Sequence, residues 1–184
     1  MGELLHRGAG RAGRAFAGLA TVALALLLTV AAAPAEDAWT TLAPEGQGFS
    51  IAFPAEPAFR DVVEMQGDSI VLFHDWRVIT DAGVFVVDVV RVTPSMRAAR
   101  TDAQLADIAI RGASAGCEVG TPREIVAASG NAWEVTFRCP EELTMRARIQ
   151  VAGEWLYQVG AAGKPGFVTG ADVARFLDSF RVLE

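Results

Sequence analysis

Residues 69–92, SIVLFHDWRVITDAGVFVVDVVRV, predict two β-strands joined by a tight turn. The first strand, residues 69–79, is rich in β-branched and aromatic side chains, and residues 80–83 have the composition of a hairpin turn. The second, residues 84–92, is apolar at both odd and even positions. Because such a strand must be covered on both sides, we expect it to lie centrally in a sheet, with packing layers above and below.

The segments on either side of this hairpin continue the pattern of strands and short turns. Further strands are predicted at residues 49–53, 59–65, 119–127, 132–139, 143–151 and 154–160. The short connections predict a largely antiparallel sheet.

Two helices are predicted among the strands. The first begins at Thr101, where Gln104 completes a Thr-x-x-Gln capping box, and it ends at Gly116. The second covers residues 171–180 and is capped by Thr169. The order of four strands, a helix, four strands and a helix indicates an α+β fold in one domain, residues 36–184.

The first 35 residues have the pattern of a cleavable signal peptide. Three arginines within residues 1–14 are followed by apolar or small residues at 15–33 and by an A-x-A site, so we predict cleavage after Ala35. An uncleaved membrane anchor is the alternative, because nineteen residues rising about 1.5 Å each almost span a hydrocarbon core of roughly 30 Å. Cleavage predicts a periplasmic protein, and the alternative predicts one held at the membrane by this segment.

Charge and composition narrow the classes of partner. The chain carries 16 basic and 22 acidic side chains; removing three arginines and one glutamate with residues 1–35 leaves 13 and 21, a formal charge of −8. This acidity argues against a nucleic-acid partner. With 52% hydrophobic and 21% charged residues, the composition also excludes an intrinsically disordered chain.

The two cysteines, Cys117 and Cys139, are 22 positions apart. In an oxidising compartment such a pair forms a disulfide, and the spacing lacks the C-x-x-C pattern of a catalytic dithiol. We predict a structural disulfide, with a redox pair and two buried free thiols as the alternatives.

Two segments resemble a known superfamily. Residues 44–57, PEGQGFSIAFPAEP, are similar to the opening strand of the PsbP-like superfamily, which includes the extrinsic photosystem II subunit, Mog-type nuclear import factors and small exported bacterial domains. Residues 174–182, ARFLDSFRV, are similar to the closing helix of the bacterial members. The resemblance implies an antiparallel sheet sandwiched by helices and a binding or assembly role, and it carries over no functional residue.

No catalytic set is recognisable in the sequence. His74 is the only histidine after residue 35, and a nucleophile would need it as base together with a third, orienting group. Its strand position, shared with Leu72 and Trp76, favours a half-buried structural role over a catalytic or metal-binding one. We therefore predict no enzymatic activity, no metal and no cofactor. A less favoured alternative is an enzyme whose carboxylates come together in a pocket from distant positions.

An arginine-bearing face is the strongest candidate site. If the apolar side chains of residues 132–151 point inward, Arg138, Arg146 and Arg148 point outward, and a loop at residues 141–143 would set Arg138 opposite Arg146. Like charges in that position require neutralisation, by an anionic ligand, by an acidic partner or by nearby acids such as Glu134.

These observations lead to two functional hypotheses. The first is a non-enzymatic exported protein that binds a partner protein of the envelope or helps to assemble one. The second is a periplasmic protein that binds a small ligand or an anion through the arginine face.

Overall fold

The computed structural model describes residues 39–66, 69–114, 116–127 and 130–183. The predicted signal segment and its cleavage site after Ala35 lie outside these residues. None of the helices in the described part of the chain is long and apolar enough to cross a membrane.

The described part of the chain forms five strands, two helices, five further strands, two helices and a last short strand. The strands are β1 (Thr40–Leu42), β2 (Phe49–Phe53), β3 (Ala58–Gln66), β4 (Ser69–Ile79), β5 (Gly83–Arg91), β6 (Glu118–Val119), β7 (Arg123–Ala127), β8 (Gly130–Arg138), β9 (Thr144–Ala152), β10 (Trp155–Gly163) and β11 (Arg181–Val182). The helices are α1 (Pro94–Ala99), α2 (Asp102–Ala113), α3 (Pro165–Val168) and α4 (Ala171–Ser179).

The strands form two sheets. The large sheet has the order β3-β4-β5-β10-β9-β8-β6, with β7 also pairing with β8, and the small sheet has the order β1-β2-β11. Every strand pair is antiparallel. The α+β class and the antiparallel sheet predicted from sequence are therefore confirmed.

Strand β5 lies centrally and is covered on both faces, as its two-sided apolar pattern predicts. On one face, here called the α4 face, Phe85, Val87 and Val89 pack against β2 and α4. On the other, the α2 face, Val90 belongs to a second core that includes α2. The main contributors from the covering elements are Phe49, Ile51 and Phe53 of β2, Val173, Phe176 and Leu177 of α4, and Leu105, Ala106, Ala109 and Ile110 of α2.

The caps of the two longer helices differ. Helix α2 has the predicted capping box: the Thr101 backbone N–H donates to Gln104 Oε1 at 2.9 Å, and the Gln104 N–H donates to Thr101 Oγ1 at 3.3 Å. The cap predicted for the last helix is wrong. Thr169 ends the short helix α3, donating its hydroxyl to the Pro165 carbonyl at 3.2 Å, and α4 begins after Gly170 with no side-chain cap.

The predicted disulfide is present. Cys117 and Cys139 are bonded, with their Cα atoms 4.2 Å apart. They continue the ladder in which Glu118 pairs with Arg138, so β6 is fastened to the end of β8. Both cysteines are half-buried against the core of the α2 face.

Replacing both cysteines by serine should lower the free energy of unfolding by about 3 kcal/mol, because the bridge restricts a 22-residue loop in the unfolded chain. Urea unfolding of the variant and of the oxidised protein measures this difference. Dithiothreitol treatment of the unaltered protein is the matched control and should give the same loss. A change of less than about 0.5 kcal/mol would contradict a stabilising bridge.

Candidate functional site

The predicted arginine face is present, but its register differs from the expectation. In the β8–β9 ladder Glu134 pairs with Arg148, Thr136 with Arg146, and Arg138 with Thr144. Arg138 therefore does not lie opposite Arg146, and the predicted pairing is wrong by two positions.

The loop explains this shift. It comprises residues 140–142, one position earlier than predicted, and the Cys139 N–H donates to the Leu143 carbonyl at 2.8 Å to close it. Glu141 and Glu142 both adopt φ of 60°, a left-handed conformation that usually selects glycine or asparagine. The sequence carries neither residue at these positions, so the usual signal for the turn is missing.

The arginines of this face converge on one carboxylate. Glu134 Oε1 accepts a hydrogen bond from Arg123 Nη2 at 3.0 Å, and its Oε2 accepts from Arg146 Nη2 at 3.0 Å and from Arg148 Nε at 3.1 Å. The side chain of Glu134 is only 12% exposed. Burial by itself raises the pKa of Glu134, but the hydrogen bonds from Arg148 and Arg146 outweigh burial and lower it.

Arg148 also joins the large sheet to α4. Its Nη1 donates to the Leu177 carbonyl at 2.9 Å, and its Nη2 donates to Asp178 Oδ1 at 2.7 Å. Arg138, in contrast, is exposed, and its Nη1 lies 3.7 Å from Glu118 Oε1. The arrangement favours neutralisation by the protein's own acids over neutralisation by an anionic ligand.

Arg148→Gln should lower the free energy of unfolding by about 1–3 kcal/mol, because it removes charge-assisted bonds to Glu134, Leu177 and Asp178. Arg138→Gln is the matched control on the same hairpin and should change stability by less than about 0.5 kcal/mol. Thermal and urea unfolding measure both. An Arg148→Gln protein that is more stable than the unaltered one would instead indicate a face that needs a bound anion.

The Glu134 cluster should make stability depend on pH. Because the pKa of folded Glu134 lies below its ordinary value of 4.5, this carboxylate contributes stability at pH values above 4.5 and loses it as the pH falls through the lowered folded pKa. Glu134→Gln should be less stable at pH 7 and should lose less stability on acidification than the unaltered protein. Urea midpoints between pH 7 and pH 3 give the comparison, and parallel curves for the two proteins would contradict the assignment.

A second polar cluster lies on the α2 face. Asp75 is buried and sits directly opposite Asp88 on the neighbouring strand, beside a cavity of about 190 Å³. Arg60 Nε donates to Asp75 Oδ1 at 3.2 Å, and Arg77 Nε donates to the same oxygen at 2.7 Å. The sheet thus brings together two carboxylates from distant positions, which is the arrangement expected of a carboxylate enzyme.

The electrostatics of Asp75 do not suit a general acid at neutral pH. Burial raises the pKa of Asp75, but hydrogen bonds from Arg77, with Asp88 and Arg60 as further partners, outweigh burial and lower it. A general acid at neutral pH needs a raised pKa, and a nucleophile needs an accessible oxygen. Asp75 forms an ion pair with Arg77, and the same contact raises the pKa of Arg77. A second ion pair, between Arg60 and Asp75, joins β3 to β4.

His74 has the half-buried position that the sequence suggests. Its Nδ1 donates to Asp61 Oδ1 at 2.8 Å, and its ring stacks on Phe59 with centroids 6.2 Å apart. Within the residues that the structure describes, no three His, Cys, Asp or Glu side chains are grouped so that they could hold a metal ion.

The α4 face of the β3–β4 hairpin carries exposed apolar side chains. Phe59, Val63 and Leu72 are 55%, 65% and 45% exposed, and we call these three residues the hairpin surface. Val63 pairs with Leu72 across the two strands, and Phe59 pairs with the buried Trp76. Sequence reasoning missed this surface, since the same apolar alternation also predicts a buried strand.

The hairpin extends beyond the rest of the large sheet. Pairing between β4 and β5 begins at Phe73 and Val90, so residues 69–72 of β4 pair with β3 alone. Among the strands that the structure describes, β3 is the edge of the sheet and has β4 as its one neighbour. Val63 and Leu72 therefore project beyond the layer formed by β2 and α4, which covers Trp76 and Val78, whereas Phe59 lies on the edge strand beside Trp76.

No protein-family model matches the chain, and no curated protein matches it significantly. Among solved structures, it is similar to the solution structure of cyanobacterial PsbP (CyanoP) from Synechocystis sp. PCC 6803, with a TM-score of 0.55. The match covers 79% of this chain and 93% of that chain, at 13% sequence identity. The chain has a PsbP-like fold. At this identity the similarity concerns the fold alone, and kinship with Mog-type factors or exported bacterial members stays a prediction.

Proposed function

We propose that this protein is a non-enzymatic accessory of the bacterial envelope, exported by residues 1–35, that binds a partner protein through the hairpin surface. The observation that carries the proposal is the projecting β3–β4 hairpin with its exposed Phe59, Val63 and Leu72. Apolar side chains that are grouped on a projecting element mark interaction sites in soluble proteins more often than isolated exposed ones do.

The edge of β3, which has no second strand neighbour within the described ranges, adds a second means of contact. An edge strand presents backbone N–H and C=O groups that can pair with a strand of another chain, and neighbouring apolar side chains then give the contact specificity. On this hairpin, the exposed apolar side chains Phe59 and Val63 belong to the edge strand β3, and Leu72 belongs to its neighbour β4. The partner is therefore expected to present an extended segment with apolar side chains on one side.

Other features support the accessory role and the envelope location. The PsbP-like resemblance implies a binding or assembly role. The Cys117–Cys139 bond fits an oxidising compartment such as the periplasm. The carboxylates of the two charged clusters, Glu134 and Asp75, are neutralised by internal ion pairs with arginines, and these contacts lower the pKa of both.

A photoreactive amino acid at Leu72 should crosslink one discrete protein in the intact envelope of the host. Leu143 provides the matched control, because it is also a leucine, is 44% exposed, and lies in a different hairpin. We expect no crosslink from position 143. Equal products from both positions, or none from position 72, would contradict the proposal.

Two further measurements complete this experiment. Adding Val63→Asp to the probe-bearing protein should abolish the crosslink while leaving the melting temperature nearly unchanged, since Val63 is 65% exposed. Cell fractionation and the mass of the recovered protein test export, with an N-terminus at Glu36 in the periplasmic fraction as the expected result. Recovery in the cytoplasm with residues 1–35 attached would contradict the envelope location.

A further inference from the structure

A cleft on the α4 face lies at the opposite end of the large sheet from the hairpin surface. It has a volume of about 480 Å³ and separates β7, β8 and β9 from the end of α4 and from β11. Its walls are mostly aliphatic and aromatic side chains. They include Ile125, Ala132, Val159, Leu177, Phe180 and Val182.

The architecture explains why the cleft is open. Helix α4 packs on β2 and β10, and β11 pairs with β2, so the covering layer is centred on the middle of the large sheet. Because neighbouring strands twist relative to one another, β8 and β7 diverge from a layer aligned with β10. The resulting volume falls in the range of small-molecule sites, which are typically mainly apolar with a few polar groups.

Gln150 provides the polar group of this cleft. The residue is 5% exposed, lines the cleft, and lies between Ala132 on β8 and Tyr157 on β10. Its Nε2 is buried beneath the surface of the cleft and has no hydrogen-bond partner among the residues that the structure describes, so a rotation of the side-chain amide toward the cleft brings this donor to a ligand. Buried polar groups are nearly always paired, and an unpaired donor is costly because it has lost its hydrogen bonds to water.

The charged groups around the cleft are already paired. Arg148 donates to Glu134, Asp178 and the Leu177 carbonyl, and Arg181 Nη1 donates to the carbonyls of Asp178 and Phe180. A charged ligand would have to displace these contacts. An uncharged ligand with a carbonyl or similar acceptor would pair with Gln150 and leave them intact.

We propose that this cleft binds a small, uncharged, mainly apolar molecule that accepts a hydrogen bond from the side-chain amide of Gln150. This site is separate from the hairpin surface, so it does not depend on the proposed partner binding. Its ligand differs from the anion considered for the arginine face, because recognition rests on the aliphatic walls and one amide donor.

Two probes of nearly the same shape test the site. Acetophenone carries a carbonyl acceptor, and α-methylstyrene has a methylene group in its place. In nuclear magnetic resonance titrations of the purified protein, acetophenone should shift the signals of Ala132, Val159 and the Gln150 side-chain amide. It should bind roughly fivefold more tightly than α-methylstyrene, the ratio expected for one hydrogen bond.

Variants then assign the effect to the cleft. Gln150→Leu should bind both probes with equal affinity, because it keeps the apolar walls and removes the donor. Ile125→Trp, on the edge strand β7, should fill the cleft and abolish binding of both. Ile108→Trp is the matched control, because Ile108 lines a different apolar groove, beside α2, and its replacement should leave both affinities unchanged.

Several results would overturn the proposal. These are equal affinities of the two probes for the unaltered protein, a preference for acetophenone that survives Gln150→Leu, signal changes confined to the α2 groove, and no binding of either probe. Loss of the Leu72 crosslink would not affect it, since the hairpin surface and the cleft lie at opposite ends of the sheet.

Discussion

The two-sided burial of strand β5 is the constraint on which the rest of the structure depends. Its odd-numbered residues, such as Val87 and Val89, are buried on the α4 face, and Val90 is buried on the α2 face. A strand of this kind needs a neighbour on each side and a covering layer on each face. Strands β4 and β10 provide the neighbours, and β2 with α4 on one face and α2 on the other provide the layers. The hairpin surface and the cleft lie where those layers end.

Each face of the large sheet also holds one carboxylate that is bound by arginines from more than one element. Asp75 is held by Arg60 and Arg77 on the α2 face, and Glu134 is held by arginines of β7 and β9 on the α4 face. In both clusters, the energetic cost of burying the carboxylate is met by hydrogen bonds to guanidinium groups. These bonds link neighbouring strands and join α4 to the large sheet.

The sequence predicted the long elements better than the contacts between them. Alternating and continuous apolar patterns located β4 and α2 closely. Side chains of β8 and β9 alternate between the two faces as predicted, but the face assigned to solvent is largely covered, with Gln150 5% exposed and the Glu134 side chain 12% exposed. The pairing of Arg138 failed because the turn contains Glu141 and Glu142 in left-handed conformations, which no local signal marks. Short elements such as α3 were missed because four residues are too few for a periodic pattern.

The sequence alone determined the fold class, the central strand and the capping box of α2, because each depends on residue type and spacing within short segments. It predicted a disulfide from one possible pair of cysteines, and the structure supplied the bond. Only the tertiary structure decided which charges meet and which apolar side chains remain exposed. Those outcomes depend on register and on where the covering layers end. Leu72 and Trp76 share one strand and one face, yet Trp76 is buried under β2 while Leu72 extends beyond it. Gln150 likewise lines a cleft because the layer above β10 does not reach β8.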